Sequence, residues 1–167
     1  MPDVLPDVLR PGLRLVICGS AAGAVSAAQG AYYAGPGNKF WRILAEVGLT
    51  PRRLEPSEFR MLAEYGIGLT DMVKTASGSD AELPRDADDV AGFLARIRRV
   101  RPGMVAFNGK RAAAVFYGVP SGGLVYGRGV DRADFPPAWV LPSTSGAASG
   151  AWRAEPWHLL AQAVAMR

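Results

Sequence analysis

Apolar runs bounded by glycine and proline outline the chain. LRLVICG, from Leu13 to Gly19, alternates too little for a half-exposed strand, and Leu13 to Cys18 therefore reads as a central parallel strand. From Asn38 to Val47 the residues Phe40, Trp41, Ile43, Leu44 and Val47 fall at helical spacing, with Asn38 as the N-cap and Gly48 ending the run. A second helix is predicted over Ser57 to Glu64, and GIGLTDMV is a short strand running into a loop. Between Asp86 and Arg101 the residues Val90, Phe93, Leu94 and Ile97 form one helical face, while Arg96, Arg98, Arg99 and Arg101 collect elsewhere as a solvated face. GMVAFNG then reads as a strand, KRAAAVFYG as a helix, AWVLPS as a last strand, and Glu155 to Met166 as a closing helix. Strand and helix alternate, which predicts an α/β fold: a three-layer α/β/α sandwich around a central, mostly parallel sheet. Met1 to Gly12, with Pro2, Pro6 and Pro11, reads as an irregular lead-in, and KTASGSDAELPRD as a polar, turn-rich connection.

In open α/β sheets ligands bind beyond the carboxyl ends of the strands. Gly19 to Gly23, Asp71, Asn108 and Ser143 to Ser145 follow four different predicted strands, so the topology gathers them at one edge. The small residues of GSAAG let backbone N–H groups approach a ligand closely, or else simply make a tight turn. Asn38, the helix start behind it and the large rings of Phe40 and Trp41 converge on one spot, which suits a flat, polar, partly anionic ligand.

Composition narrows the classes. A chain of 167 residues with 49% hydrophobic content supports one domain, expected to span residues 1–167. A net charge of +4 and a pI near 9.6 favour a polyanionic partner. Cys18 is the sole cysteine, which excludes an internal disulfide framework and a four-cysteine iron–sulfur cluster. With one histidine besides, no metal site is expected, and no phosphate-binding G-x-x-x-x-G-K-S/T loop is present. No apolar run approaches the roughly 18 residues of a membrane span, and no leader pattern opens the chain, so a soluble, cytoplasmic protein without a cofactor is expected.

Three segments carry a family resemblance. GSAAG is followed by YAGPGNKFW at Tyr33 to Trp41; YGIGLTDMVKTASGSDAEL, from Tyr65, is followed by VAFNGKRAA, from Val105; and LPSTSGAAS runs from Leu141 to Ser149. In order and spacing they resemble the motifs of the mismatch-specific uracil and thymine DNA glycosylases, a branch of the uracil-DNA glycosylase superfamily. The resemblance implies an enzyme that flips a nucleotide out of DNA and hydrolyses its N-glycosidic bond without cutting the strand. Its partner would be DNA containing uracil or a mismatch, bound by a monomer. One position departs from the pattern: Ala21 stands where the family keeps a catalytic asparagine, and Ala22 where it keeps a proline. The Tyr32–Tyr33 string and the Ser143–Ser145 triplet are also similar to a sister branch of hypoxanthine-DNA glycosylases, in which the asparagine of N-x-F-W is implicated in catalysis.

The resemblance to the sister branch implies Asn38 as a catalytic residue; Asp71, the only carboxylate at a predicted strand end of the pocket, is a second candidate from its chemistry, at a position where the mismatch family often holds an amide or lysine. The family resemblance implies Gly19, Ser20, Ala21, Ala22, Gly23, Tyr33, Phe40 and Asn108 as the base pocket, with Phe40 stacking on the base. Ser143, Thr144, Ser145, Gly146, Ala147 and Lys110 would meet the DNA, as would the polar Lys74–Asp86 connection. Plainer readings stand beside these: Phe40 as a core residue, Asn108 as the cap of the Lys110 helix, Asp71 as a loop cap, and His158 as a structural helix residue. Three activities remain in view, namely uracil excision, hypoxanthine excision, and binding of lesion DNA without turnover.

Overall fold

Every central strand is buried on both faces, so the sheet needs cover on both sides. In the computed structural model, which describes residues 2–84 and 86–166, β1 (Leu15–Gly19) lies between β2 (Ile67–Asp71) and β3 (Val105–Asn108), both parallel to it. Met1, Arg85 and Arg167, which belong to the predicted lead-in, polar connection and chain end, lie outside the described residues. Side chains alternate along a strand, so Leu15 and Ile17 enter one core with Ile67, Leu69 and Leu141, while Val16 and Cys18 enter the other with Val105, Phe107 and Val140. The first core is closed by α2 (Phe40–Glu46), a 3-10 helix (Pro56–Tyr65) and α5 (Glu155–Ala165). The second is closed by α3 (Val90–Val100) and α4 (Lys110–Tyr117). With β5 (Ala138–Leu141) parallel to β3 and a short antiparallel β4 (Gly127–Arg128) at the edge, the sheet order is β2-β1-β3-β5-β4. This is the α/β/α sandwich expected. No helix among the described residues is long and apolar enough to cross a membrane.

Local chemistry moves several boundaries. The Ser57–Glu64 helix is 3-10 in form, entered through a capping box between Glu55 and Glu58 and ended by Gly66 at φ 79°. α3 starts at Val90 rather than Asp86 because the Asp89 carboxylate accepts the Gly92 N–H at 2.9 Å. The N-cap position of α2 is Lys39; Asn38 stands one residue earlier and accepts the Phe40 N–H on Oδ1 at 3.0 Å. An unforeseen helix, α1 (Ala24–Gln29), is too short to show a period.

The lead-in is irregular but docked. Val8 and Leu69 exchange two backbone hydrogen bonds of 2.9 Å across the free edge of β2, and Leu5 is buried in the first core. Gly68 permits this approach: a Cβ there would lie 2.5 Å from the Val8 carbonyl oxygen and 2.7 Å from Leu13 Cδ1. Gly68→Ala should therefore destabilise the protein by about 1–3 kcal/mol in denaturant unfolding. Gly122→Ala, whose Cβ would meet nothing within 4 Å, should change stability far less.

Candidate active site

The carboxyl ends of β1, β2 and β3 and the loop after β5 surround a cavity of about 780 Å³. Gly19 and Asp71 are register partners at the ends of β1 and β2. A Cβ on Gly19 would come within 2.7 Å of Asp71 Oδ1 and 2.9 Å of the Tyr33 hydroxyl oxygen, so only glycine lets both groups close over this strand end. Asp71 is 4% exposed, and burial pushes its carboxyl up to about 7; Lys74 and Arg96 pull it back down, and Asp7 pushes it up.

The aromatic loop between α1 and α2 forms one wall. The Ser26 hydroxyl accepts the Ala34 N–H at 2.9 Å and the Trp41 indole donates to the Tyr32 carbonyl at 3.0 Å, pinning the loop at both ends. Between them Tyr33 takes a left-handed φ of 53°, uncommon for a residue with a side chain. Its ring stacks on Phe40 with centroids 4.0 Å apart and planes at 25°. Phe40 is fully buried, edge-on to Trp41 and Trp157. The expectation that Phe40 stacks on a ligand is corrected: Phe40 backs Tyr33, and of this stacked pair it is Tyr33 that lines the cavity. The Tyr33 hydroxyl is buried and, among the described residues, makes no hydrogen bond of good geometry; burial, then Asp71, pushes it up while the neighbouring Asn108 amide pulls it down, so it is a neutral phenol.

Asn108 and Thr144 hold the opposite wall together. Asn108 Nδ2 donates to Thr144 Oγ1 and Asn108 Oδ1 accepts the Thr144 N–H, each at 3.0 Å. Asn108 therefore does not cap α4, whose N-cap residue is Gly109, and its amide edge is bound to the protein rather than held open. Thr144 is 0% exposed and presents no surface to a phosphate, which corrects that assignment. Its carbonyl accepts the Lys39 N–H at 2.9 Å, and a Cβ on Gly146 would lie 3.2 Å from Gly37, so the post-β5 loop is clasped to the aromatic loop. Ser143, Ser145, Gly146 and Ala147 line the cavity beside this seam.

Asn38 also lines the cavity; its Oδ1 is held by the Phe40 N–H, and among the described residues no hydrogen bond engages its Nδ2. Ser20, Ala21, Ala22 and Gly23 supply the wall after β1. Ala22 is tied to the polar connection by a bridge to Ser77, and its carbonyl accepts the Gly78 N–H at 2.9 Å. That connection brings Asp80 and Glu82 to the cavity, an unfavourable surface for phosphate where a DNA-facing one was expected. Lys110 sits with Nζ 4.6 Å over the ring of Tyr126, a lining residue the sequence did not single out. Arg96, expected in solvent, is largely buried and donates to the Asp71 carbonyl at 3.1 Å. His158 is exposed on α5 and is not part of the cavity lining.

The profile of the uracil DNA glycosylase superfamily matches residues 6–162. The chain belongs to that superfamily. The solution NMR structure of a candidate uracil DNA glycosylase from Methanosarcina acetivorans is similar in fold, with a TM-score of 0.66 over 96% of each chain at 20% identity. In this uracil DNA glycosylase superfamily member Ala21 and Ala22 follow β1, methyl groups that add no polar atom to the wall. The polar atoms near that strand end are instead the Asp71 carboxyl and the Tyr33 hydroxyl. An unpartnered buried hydroxyl opposes folding, so Tyr33→Phe should leave the DNA-free protein as stable or about 1 kcal/mol more stable in thermal unfolding; a clear loss would mean the hydroxyl is satisfied in solution.

Proposed function

We propose that this protein is a DNA glycosylase that flips a deoxyuridine out of DNA and hydrolyses its N-glycosidic bond, leaving an abasic site. The observation that carries the reading is the pairing of Tyr33 with Asp71 over Gly19: a flat ring, an unsatisfied O–H and a titratable carboxyl at one strand end. A flipped uracil lying against Tyr33 gives that hydroxyl its missing acceptor in a ring carbonyl. As the glycosidic bond breaks, the bonding electrons leave with the base, and a neutral phenol fixed in a dry site stabilises the charge that grows on that oxygen. Asn38 Nδ2 orients the attacking water, and ionised Asp71 accepts its proton as oxygen bonds to C1′. Ser143, Ser145 and Lys110, which line the cavity, donate to the phosphates flanking the flipped nucleotide in this reading.

Within the superfamily, the resemblance of YAGPGNKFW and LPSTSGAAS to the motifs of the mismatch-specific type supports that branch, with an altered first motif; the two segments adjoin at Gly37 and Gly146. One observation favours a second reading. Ala21, Ala22 and Gly23 place nothing larger than a methyl on the wall after β1, which leaves room for a purine, and hypoxanthine presents the same kind of lactam edge as uracil.

Labelled oligonucleotides carrying uracil, thymine opposite guanine, or hypoxanthine, treated with alkali after incubation, distinguish these. Alkali-dependent breaks at uracil are expected. Breaks at hypoxanthine alone would favour the second reading, and binding without breaks would leave a lesion-recognition protein. Asn38→Ala and Asp71→Asn should each lower turnover about a hundredfold. Because the carboxyl is neutral below about 7, excision should fall as pH drops through that value and rise above it. The shift upward from 3.8 also means that ionising Asp71 opposes folding as pH rises toward 7. Asp71→Asn should accordingly be more heat-stable than wild type at pH 8, which separates lost chemistry from lost structure.

A further inference from the structure

Three charged side chains that this reaction does not use gather at the β2 end that carries Asp71: Asp7 from the lead-in, Lys74 just after β2, and Arg96 from α3, which reaches the Asp71 backbone carbonyl. Lys74 is 7% exposed, with Nζ 2.7 Å from Asp7 Oδ1, and it also donates to the Leu5 carbonyl at 2.8 Å and the Tyr32 hydroxyl at 3.3 Å. Arg96 Nε lies 3.3 Å from Asp7 Oδ2, while its terminal nitrogen holds the Asp71 backbone carbonyl. Thr70 Oγ1 donates to Asp7 Oδ1 at 2.8 Å, and the two Val8–Leu69 backbone bonds fix the adjoining residue to β2. Both cations are thus paired with Asp7, although Asp71 is the second carboxylate within their influence.

We propose that Asp7 is a positioning residue for Asp71: by taking the ion pairs of Lys74 and Arg96, it keeps both cations from settling on the Asp71 carboxyl and so sets the pH at which that group changes from acid to base. The functional part of this proposal rests on the glycosylase reading; the electrostatic part does not. The other titratable groups facing Asp71 are the Cys18 thiol of β1 and the Tyr32 and Tyr33 phenols, all held neutral by burial. Charge reaches Asp71 from Lys74 and Arg96, which favour its ionised form, and from Asp7, which opposes it. A nearby opposite charge lowers a carboxyl, so loss of the competing carboxylate should lower Asp71. The proline-rich lead-in then becomes part of the active site without touching substrate.

The test is an NMR titration of the Asp71 carboxyl carbon in the DNA-free protein, for wild type, Asp7→Asn and Lys74→Met. Asparagine keeps an oxygen for Thr70, so the local fold has a close substitute. Asp7→Asn should move the midpoint down by about one pH unit or more. Lys74→Met should move it up. An unmoved midpoint in folded Asp7→Asn overturns the proposal; if that variant does not fold, an unmoved midpoint in Lys74→Met overturns it instead. The pH limb of uracil excision should shift in step, which a purely structural role for Asp7 would not produce. Shifted midpoints without excision of any base would sink the glycosylase reading alone, whereas excision with unmoved midpoints would sink this proposal alone.

Discussion

Burial of the central strands on both faces is the constraint from which the rest of the molecule follows. A strand dry on both sides has no place for a polar side chain along its length, so polar groups collect where the strands stop. Gly19 is level with Asp71, and Asn108 with Leu141, so the strand ends form a common ledge. The loops leaving that ledge, the aromatic loop before α2 and the first residues of α4 supply much of the remaining wall. The same dryness that packs Phe107 and Leu69 also raises the Asp71 carboxyl, so stability and site chemistry have one origin.

Hydrogen bonds across long sequence distances convert those loops into fixed walls. Asn108 and Thr144 are 36 residues apart, and their reciprocal pair locks the loop after β5 to the end of β3. The Lys39 N–H then passes that position on to the start of α2. A net worth of about 1 kcal/mol per bond understates the effect, because each of these buried groups would be left unsatisfied if its partner moved. Tyr33 departs from this pattern: ordered by stacking on Phe40, its hydroxyl makes no hydrogen bond of good geometry among the described residues.

Much of the framework was legible in the amino-acid sequence because it is written in local periodicity. LRLVICG, GMVAFNG and the Phe40–Val47 stripe announce β1, β3 and α2, and placing Asp71 and Asn108 at strand ends required only the strands themselves. What escaped has no local period. Phe40 at helical spacing reads alike whether it faces a cavity or a core, and only the left-handed turn at Tyr33 decides which ring is in front. Arg96 is one of four arginines near the end of a helix, and nothing nearby says that it reaches Asp7, eighty-nine residues earlier in a stretch marked mainly by prolines. Asn108 was placed correctly, but its partner could not be read, since capping and cross-loop pairing draw on the same amide.

The contact between Gly37 and Gly146 bears on how this protein can change. Where two loops meet backbone to backbone, no side chain is available to be lengthened, shortened or recharged, and a methyl group on Gly146 would crowd Gly37. The rim of the cavity is therefore closed to gradual evolutionary adjustment at this seam. Variation in what such a chain accepts is channelled inward, to the alanines after β1 and to the tyrosine opposite them, where a single substitution alters volume or polarity without parting the loops.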